Sequence, residues 1–363
     1  MNRRPAIPLP TAEDWPVRLP APLLGTLLVC ALPFPARALD ERDIAALISL
    51  RPSVLKVEAS DARGNVGVGT GVAVAPGVIA TACHVTAHAT TLRVVSNGER
   101  MQVSNQRAEV ARDLCLLDVP GASQVPPVPL RDTPLKPGEE LVALGYILGA
   151  APRVSNGTVL RLHDYDGGKV IQSTTPFTSG ASGGGMFDRE GRLVGLMTFK
   201  FRAGTDNQFS VPVAWISEAL RLPTGPEVAP LSGRAFWDAP EAGLPPFLQT
   251  LRMEAERRWS DLEALARQWI AGNPDSASAW HALGRAQAAG GRGSEALQSF
   301  ARADALEHGN PVFLSDLALA HYRQHDDQGY ARTRAELERI APSALSTLDA
   351  RAGACTPDIP QPC

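Results

Sequence analysis

Between Val54 and Val213 the chain is a succession of short apolar or alternating runs: VLKVEAS, GVGTGVAVA, GVIATACHV, TTLRVVS, LCLLDV, ELVALGY, GKVIQST, RLVGLMTF and NQFSVPV. Turn-forming Pro-Gly, Asn-Gly, Asp-Gly and Glu-Gly pairs punctuate them. Alternation with a period of two marks strands with one buried face, and many such strands at near-regular spacing predict an all-β barrel or sandwich over residues 39–222. Its first element is expected to be a short amphipathic helix, ERDIAALISL, at residues 41–50. After Leu222 the chain reads PTGPEVAPLSGRAFWDAPEAGLPP, too rich in Pro and Gly for either regular element, which predicts a linker over 223–246.

From 247 to 345 the apolar spacing turns helical. Laid against a 34-residue period, Trp280, Leu283, Gly284, Ala296, Phe300 and Ala303 fall where one helix of a pair packs into the other, after the helix breaker Pro274. Leu314, Leu317, Ala318 and His321 repeat the first-helix places, and WSDLEALARQWIAGNP supplies an earlier second helix. The region resembles about two and a half tetratricopeptide repeats. That resemblance implies an all-α module whose groove binds a peptide or partner protein. Residues 346–363 form a tail containing Cys355 and Cys363, which sit close enough in sequence to close only a small loop with each other.

With 44% hydrophobic and 20% charged residues, the 363-residue chain fits a two-domain globular protein. A formal charge of -3 speaks against a nucleic-acid partner. Arg3, Arg4 and Arg18 precede an uncharged stretch from Leu19 to Ala36 that ends at Ala36-Arg37-Ala38, the pattern of a signal peptide over residues 1–38 cleaved after Ala38. Its apolar core is shorter than the roughly 20 residues of a spanning helix and is broken by Pro33 and Pro35, so membrane contact is expected only in transit. The product is expected in the periplasm or outside the cell. Without residues 1–38, four arginines and two acids are lost and the formal charge becomes -5. Cys83, Cys115, Cys355 and Cys363 remain, an even number in an oxidising compartment.

The stretch SGASGGG, Ser179 to Gly185, has the composition of a flexible connector. Its flanks contradict that reading, because GKVIQSTT and MFDREGRLVGLMTF are strand-like and the second holds a tight turn at Arg189-Glu190-Gly191. Glycines clustered between strands point to close backbone approach around Ser182. A serine hydroxyl is a weak nucleophile until a base takes its proton. Of the three histidines in the β region, His84 ends an apolar run, while His88 and His163 lie in polar, turn-like surroundings. The base in turn needs a carboxylate to fix its tautomer, and Asp113 stands at the mouth of the apolar run DLCLLDV.

The segments GTGVAVAPGVIATACHV, DLCLLDV, SGASGGGMFDREGRLVGL and FSVPV resemble the trypsin-like serine endopeptidases, most closely their HtrA-type branch, over about residues 53–216. The resemblance implies two packed antiparallel β-barrels with a site between them. It assigns the general base to His84, the orienting carboxylate to Asp113 and the nucleophile to Ser182. The oxyanion hole would be made by the backbone amides of Gly180 and Ser182, with Ala181. In this fold the sixth residue before the nucleophile, here Pro176, lies at the base of the primary pocket, with Thr198 as a further pocket residue. An uncharged floor implies a small or medium apolar side chain at the cleaved position. No metal or organic cofactor is called for. Three features depart from the family pattern: Ala181 stands where pancreatic-type members have aspartate, Gly185-Met186 replaces Pro-Leu, and the repeats stand where a PDZ-like segment would follow. If His84 and Asp113 meet, Cys83 and Cys115 are neighbours, either as a disulfide stabilising by roughly 3–4 kcal/mol or as two buried thiols.

Other readings fit less well. GASGG satisfies the nucleophile elbow of α/β-hydrolases, but the histidine would then come from His281, His308, His321 or His325, all within the repeat region. HVTAH lacks the glutamate of a zincin helix, and GVGTG is followed by a strand rather than by the helix of a dinucleotide loop. The remaining alternative is an inactive protease fold that serves the repeats as a scaffold.

Overall fold

In the computed structural model, which describes residues 48–147, 151–201 and 207–354, the apolar runs form two antiparallel β units. The first is a seven-stranded sheet: β1 (Val54–Ser60), β2 (Val66–Ala75), β3 (Val78–Thr81), β4 (Thr91–Ser96), β5 (Glu99–Gln102), β6 (Asn105–Glu109) and β7 (Leu114–Asp118), in the order β5-β4-β1-β2-β3-β7-β6. The second is a closed barrel of β8 (Glu140–Ile147), β9 (Ala151–Tyr165), β10 (Gly168–Ser173), β11 (Gly185–Phe187), β12 (Leu193–Lys200) and β13 (Gln208–Pro212), in the order β10-β13-β12-β11-β8-β9. Of the expected N-terminal helix, only residues 48–50 fall among the described residues, and they are helical. The expected signal peptide, Cys355 and Cys363 lie outside them.

Two cores explain the sequence pattern. Leu55, Val57, Ile79, Leu92, Val94 and Leu117 fill one inside the sheet. Val54, Val72, Leu114 and Leu116 turn the other way and join Leu144, Phe187, Phe199, Phe209 and Trp215 of the barrel side in a second. β7 is therefore buried on both faces, which is why LCLL is a continuous apolar run rather than an alternating one. β9 escaped the sequence pattern because it is polar and largely half-buried. Its pairing makes it a strand: residues 151–158 bond to β8 and residues 159–165 to β10.

Beyond β13 come α2 (Val213–Ala219) and then the helices α3 (Pro246–Ala255), α4 (Trp259–Gly272), α5 (Ala277–Ala289), α6 (Gly293–Leu306), α7 (Pro311–Arg323), α8 (Asp327–Ile340) and α9 (Leu345–Ala354); α1 (Cys83–Thr86) lies earlier, after β3. Helix starts recur at 259, 293 and 327, and again at 277, 311 and 345. Helix pairs thus repeat at the period read from the sequence. Leu283, Ala296, Phe300 and Ala303 are buried between them. The expected tail starts within α9, which runs to Ala354.

Helices and barrel share a seam. Phe247 of α3 stacks on His163 of β9 with ring centroids 4.3 Å apart, and the Arg161 guanidinium lies 5.4 Å over the Phe313 ring of α7. The segment expected as a linker is anchored to the β region. Pro226 O accepts Gln106 N–H at 2.9 Å, Asn105 bridges to Glu227, and Leu231 N–H donates to Ala87 O at 2.8 Å. The strap thereby satisfies backbone groups of the edge strand β6, which would otherwise offer a template for a foreign strand. It then forms a 3-10 turn, Phe236–Asp238, whose Phe236 is buried in the shared core.

Candidate active site

His84 does not end a strand. The chain leaves β3 at Thr81, passes Ala82 in extended conformation and turns into α1, placing His84 in the first turn of a four-residue helix. Asp113 sits immediately before β7 with φ 56° and is fully buried. Aspartate is one of the few L-residues that tolerate this left-handed conformation. Its Oδ1 accepts the His84 backbone N–H at 2.9 Å, and its Oδ2 lies 2.8 Å from His84 Nδ1. A buried carboxylate facing Nδ1 selects the tautomer with the proton on that nitrogen, leaving the Nε2 lone pair as an acceptor. Nε2 has no hydrogen-bond partner among the described residues, and the His84 side chain is 33% exposed against 1% for Asp113. The imidazole is covered on one side and accessible on the other. Cys83 and Cys115 are joined in a buried disulfide that ties the start of α1 to β7 beside this pair.

Ser182 lies in a loop between β10 and β11. Its neighbour Gly183 has φ 83°, and a Cβ there would fall 2.2 Å from Thr70 O and 2.3 Å from Thr81 Oγ1. Only glycine fits, and the close approach sets the loop against β2 and β3, two residues from α1. Thr70 N–H donates to Ser182 O at 2.8 Å. The amides of Gly180 and Ser182 have no acceptor among the described residues, whereas Ala181 N–H is engaged by Thr178 O at 3.0 Å. Of the three amides expected in an oxyanion hole, two are available. The Ser182 hydroxyl is 3.5 Å from Thr198 O, a long contact, and no hydrogen bond joins it to His84. Such distances often tighten only when substrate is bound.

The expected pocket residues separate. Thr198 is buried, with its hydroxyl donated to Phe209 O at 3.2 Å, while Pro176 is exposed and its carbonyl accepts Ser155 Oγ at 2.6 Å. His88 is exposed. His163, expected in a polar turn, is instead a buried β9 residue stacked on Phe247, and burial pushes its pKa down to about 3. Two contributors escaped the sequence. Thr70 Oγ1 donates to Gly180 O at 2.7 Å and accepts Tyr146 N–H at 2.9 Å, clamping the Ser182 loop to β2 and β8. From the strap, Trp237 Nε1–H donates to Asp113 Oδ2 at 3.0 Å. A GTG run hinted at the first; nothing local marks the second.

The structure thus shows a seven-stranded sheet beside a closed six-stranded barrel, a His84–Asp113 contact, and a serine loop held against β2. Residues 69–196 match the family described as trypsin-like peptidase domain, and part of the chain is similar to an HtrA-type serine protease. Serine protease HTRA1A of Danio rerio is 29% identical over 157 residues, 40% of this chain and 32% of that protein. The chain thus spans about a third of the length of this curated relative. Among solved structures, the active form of the Rv3671c protease from M. tuberculosis aligns with TM-score 0.45 and 22% identity, over 51% of this chain and 89% of that one. The serine endoprotease from Yersinia pestis aligns with TM-score 0.44 and 22% identity, over 48% and 64%.

Proposed function

We propose that this chain is an exported serine endopeptidase, active in the periplasm or outside the cell once residues 1–38 are removed. The observation that carries the reading is the His84–Asp113 pair with an open Nε2, together with a glycine-cradled serine whose carbonyl is bonded to Thr70 of β2 and which has two free amides beside it. Ser182 Oγ attacks the peptide carbonyl as His84 Nε2 takes its proton. The new oxyanion is met by the amides of Gly180 and Ser182, and Asp113 stabilises the imidazolium. His84 returns the proton to the leaving amine, and water then hydrolyses the acyl-enzyme by the same route reversed. Small or medium apolar side chains are the expected preference at the cleaved position.

The helical region serves as a tetratricopeptide-type module that recruits substrate or a partner protein. Part of its surface is already taken by the chain's own barrel, since Phe313 of α7 lies under Arg161, so recruitment falls to the remaining faces. The long Ser182 contact with Thr198 O favours one alternative, a protease fold kept as an inactive scaffold. A fluorophosphonate probe separates the two. One adduct on the wild type, and none on Ser182→Ala or His84→Ala, supports the endopeptidase; no adduct on a folded wild type supports the scaffold.

A further inference from the structure

We propose that Trp237 is a positioning residue for the Asp113–His84 pair; this rests on reading those groups with Ser182 as a catalytic triad. Its indole Nε1–H donates to Asp113 Oδ2 at 3.0 Å, the oxygen that also faces His84 Nδ1 at 2.8 Å. The indole stands at 89° to the imidazole with centroids 5.6 Å apart, and it stacks on Phe199 at 5.1 Å and 14°. Phe199 directly follows Thr198, whose carbonyl the Ser182 hydroxyl faces. One side chain therefore touches the base, its carboxylate and the strand next to the nucleophile.

Without the indole, both remaining donors to the Asp113 carboxylate would come from His84 itself, one from its backbone and one from its ring. Carboxylate and imidazole could then rotate together. The indole supplies a donor from an independently anchored segment: Phe236, its neighbour, is buried against Tyr165, Phe199 and Trp215. It fixes the carboxylate plane and helps keep water from a group only 1% exposed, where low local polarity strengthens its hold on the imidazolium. Packing perpendicular to the ring also restricts the rotation that would swing Nε2 away from Ser182. Trp237 lies outside residues 69–196, so the protease-like segment alone lacks this donor.

The test uses the full chain with Trp237 replaced by 3-benzothienylalanine, which keeps the ring shape and removes only the N–H, beside Trp237→Phe. Fluorophosphonate acylation is resolved into its maximal rate and its half-saturating concentration. Loss of a hydrogen bond to a charged group predicts a maximal rate lower by about 10-fold to 100-fold with half-saturation unchanged. Proton NMR of the His84 Nδ1–H should show faster exchange with water in the benzothienyl protein. If rate and exchange both match wild type at an equal melting temperature, the proposal is overturned. Labelling that persists in Ser182→Ala overturns the triad reading instead, and the exchange measurement then still decides whether the indole orders the pair.

Discussion

His84 in the β region and His281 in the helical region each lie 2.8 Å from an aspartate, Asp113 and Asp316 respectively. In the first pair the histidine is partly exposed, its second nitrogen is open, and the carboxylate's other hydrogen bonds come from uncharged N–H groups of the His84 backbone and Trp237. In the second pair the histidine is fully buried, its Nδ1 has no partner, and Asp316 also binds Arg351 at 2.8 Å with Arg285 at 3.6 Å. Burial, aided by the charges of Arg161 and Arg285, pushes His281 down to about 4 against the opposing pull of Asp316. Burial alone would raise Asp316; Arg351 and Arg285 hold it well below the usual carboxylate range. The helical contact is therefore a hydrogen bond from a neutral ring to a carboxylate neutralised by arginines. A short His–Asp distance is common to both pairs; an open second nitrogen and a carboxylate free of competing cations distinguish the first.

The largest effect expected from this contrast is Asp113→Asn, which presents an amide to Nδ1 and favours the wrong tautomer. It should lower kcat/KM by about 10⁴-fold, measured on a fluorogenic peptide or as the acylation rate. Asp316→Asn should do the reverse. It takes the carboxylate from Arg351, whereas Arg285 keeps Glu254 at 3.3 Å, and should cost about 1–3 kcal/mol in denaturant unfolding while kcat/KM of the folded protein stays near wild type. A large activity loss there with intact stability would reverse the roles of the two pairs.

Acid titration gives the next effect. His281 and His163 sit at about 4 and about 3 in the fold, below the ordinary 6.5, so below pH 6.5 the unfolded chain binds the extra protons. Their stabilising contribution is complete above pH 6.5 and is lost as pH falls towards those values, at roughly 1.4 kcal/mol per pH unit for each. Calorimetry should show the melting temperature dropping between pH 6.5 and 4.5, with a shallower slope in His281→Phe. The smallest effect is Thr70→Val. It removes one clamp on the Gly180 carbonyl and should slow acylation by about tenfold, the worth of one buried hydrogen bond.

Legibility followed the range of the interactions. The Ser182 loop was readable because its constraint is local: Gly183 is required at one backbone position, and the flanking strands announce themselves by burial. Asp113 and His84 were readable because each sits beside a run that is apolar on consecutive positions, and β7 is apolar on both faces because two cores meet there. The 34-residue helical period was readable because each helix pair repeats the same packing. β9 and the 223–246 strap were not, since polar, Pro-rich or half-buried sequence takes its conformation from whatever it lies against.

The sequence alone thus determined which residues carry polar chemistry at the ends of apolar strands, which backbone positions only glycine can fill, and the order of β and helical regions. Only the tertiary structure decided that Trp237, 124 residues from Asp113, donates to its carboxylate, that Thr70 holds the Ser182 loop, and that His163 is buried against Phe247. Periodicity and turn chemistry are written in neighbouring residues, whereas a hydrogen bond across 124 residues exists only once the chain has folded and closed that distance.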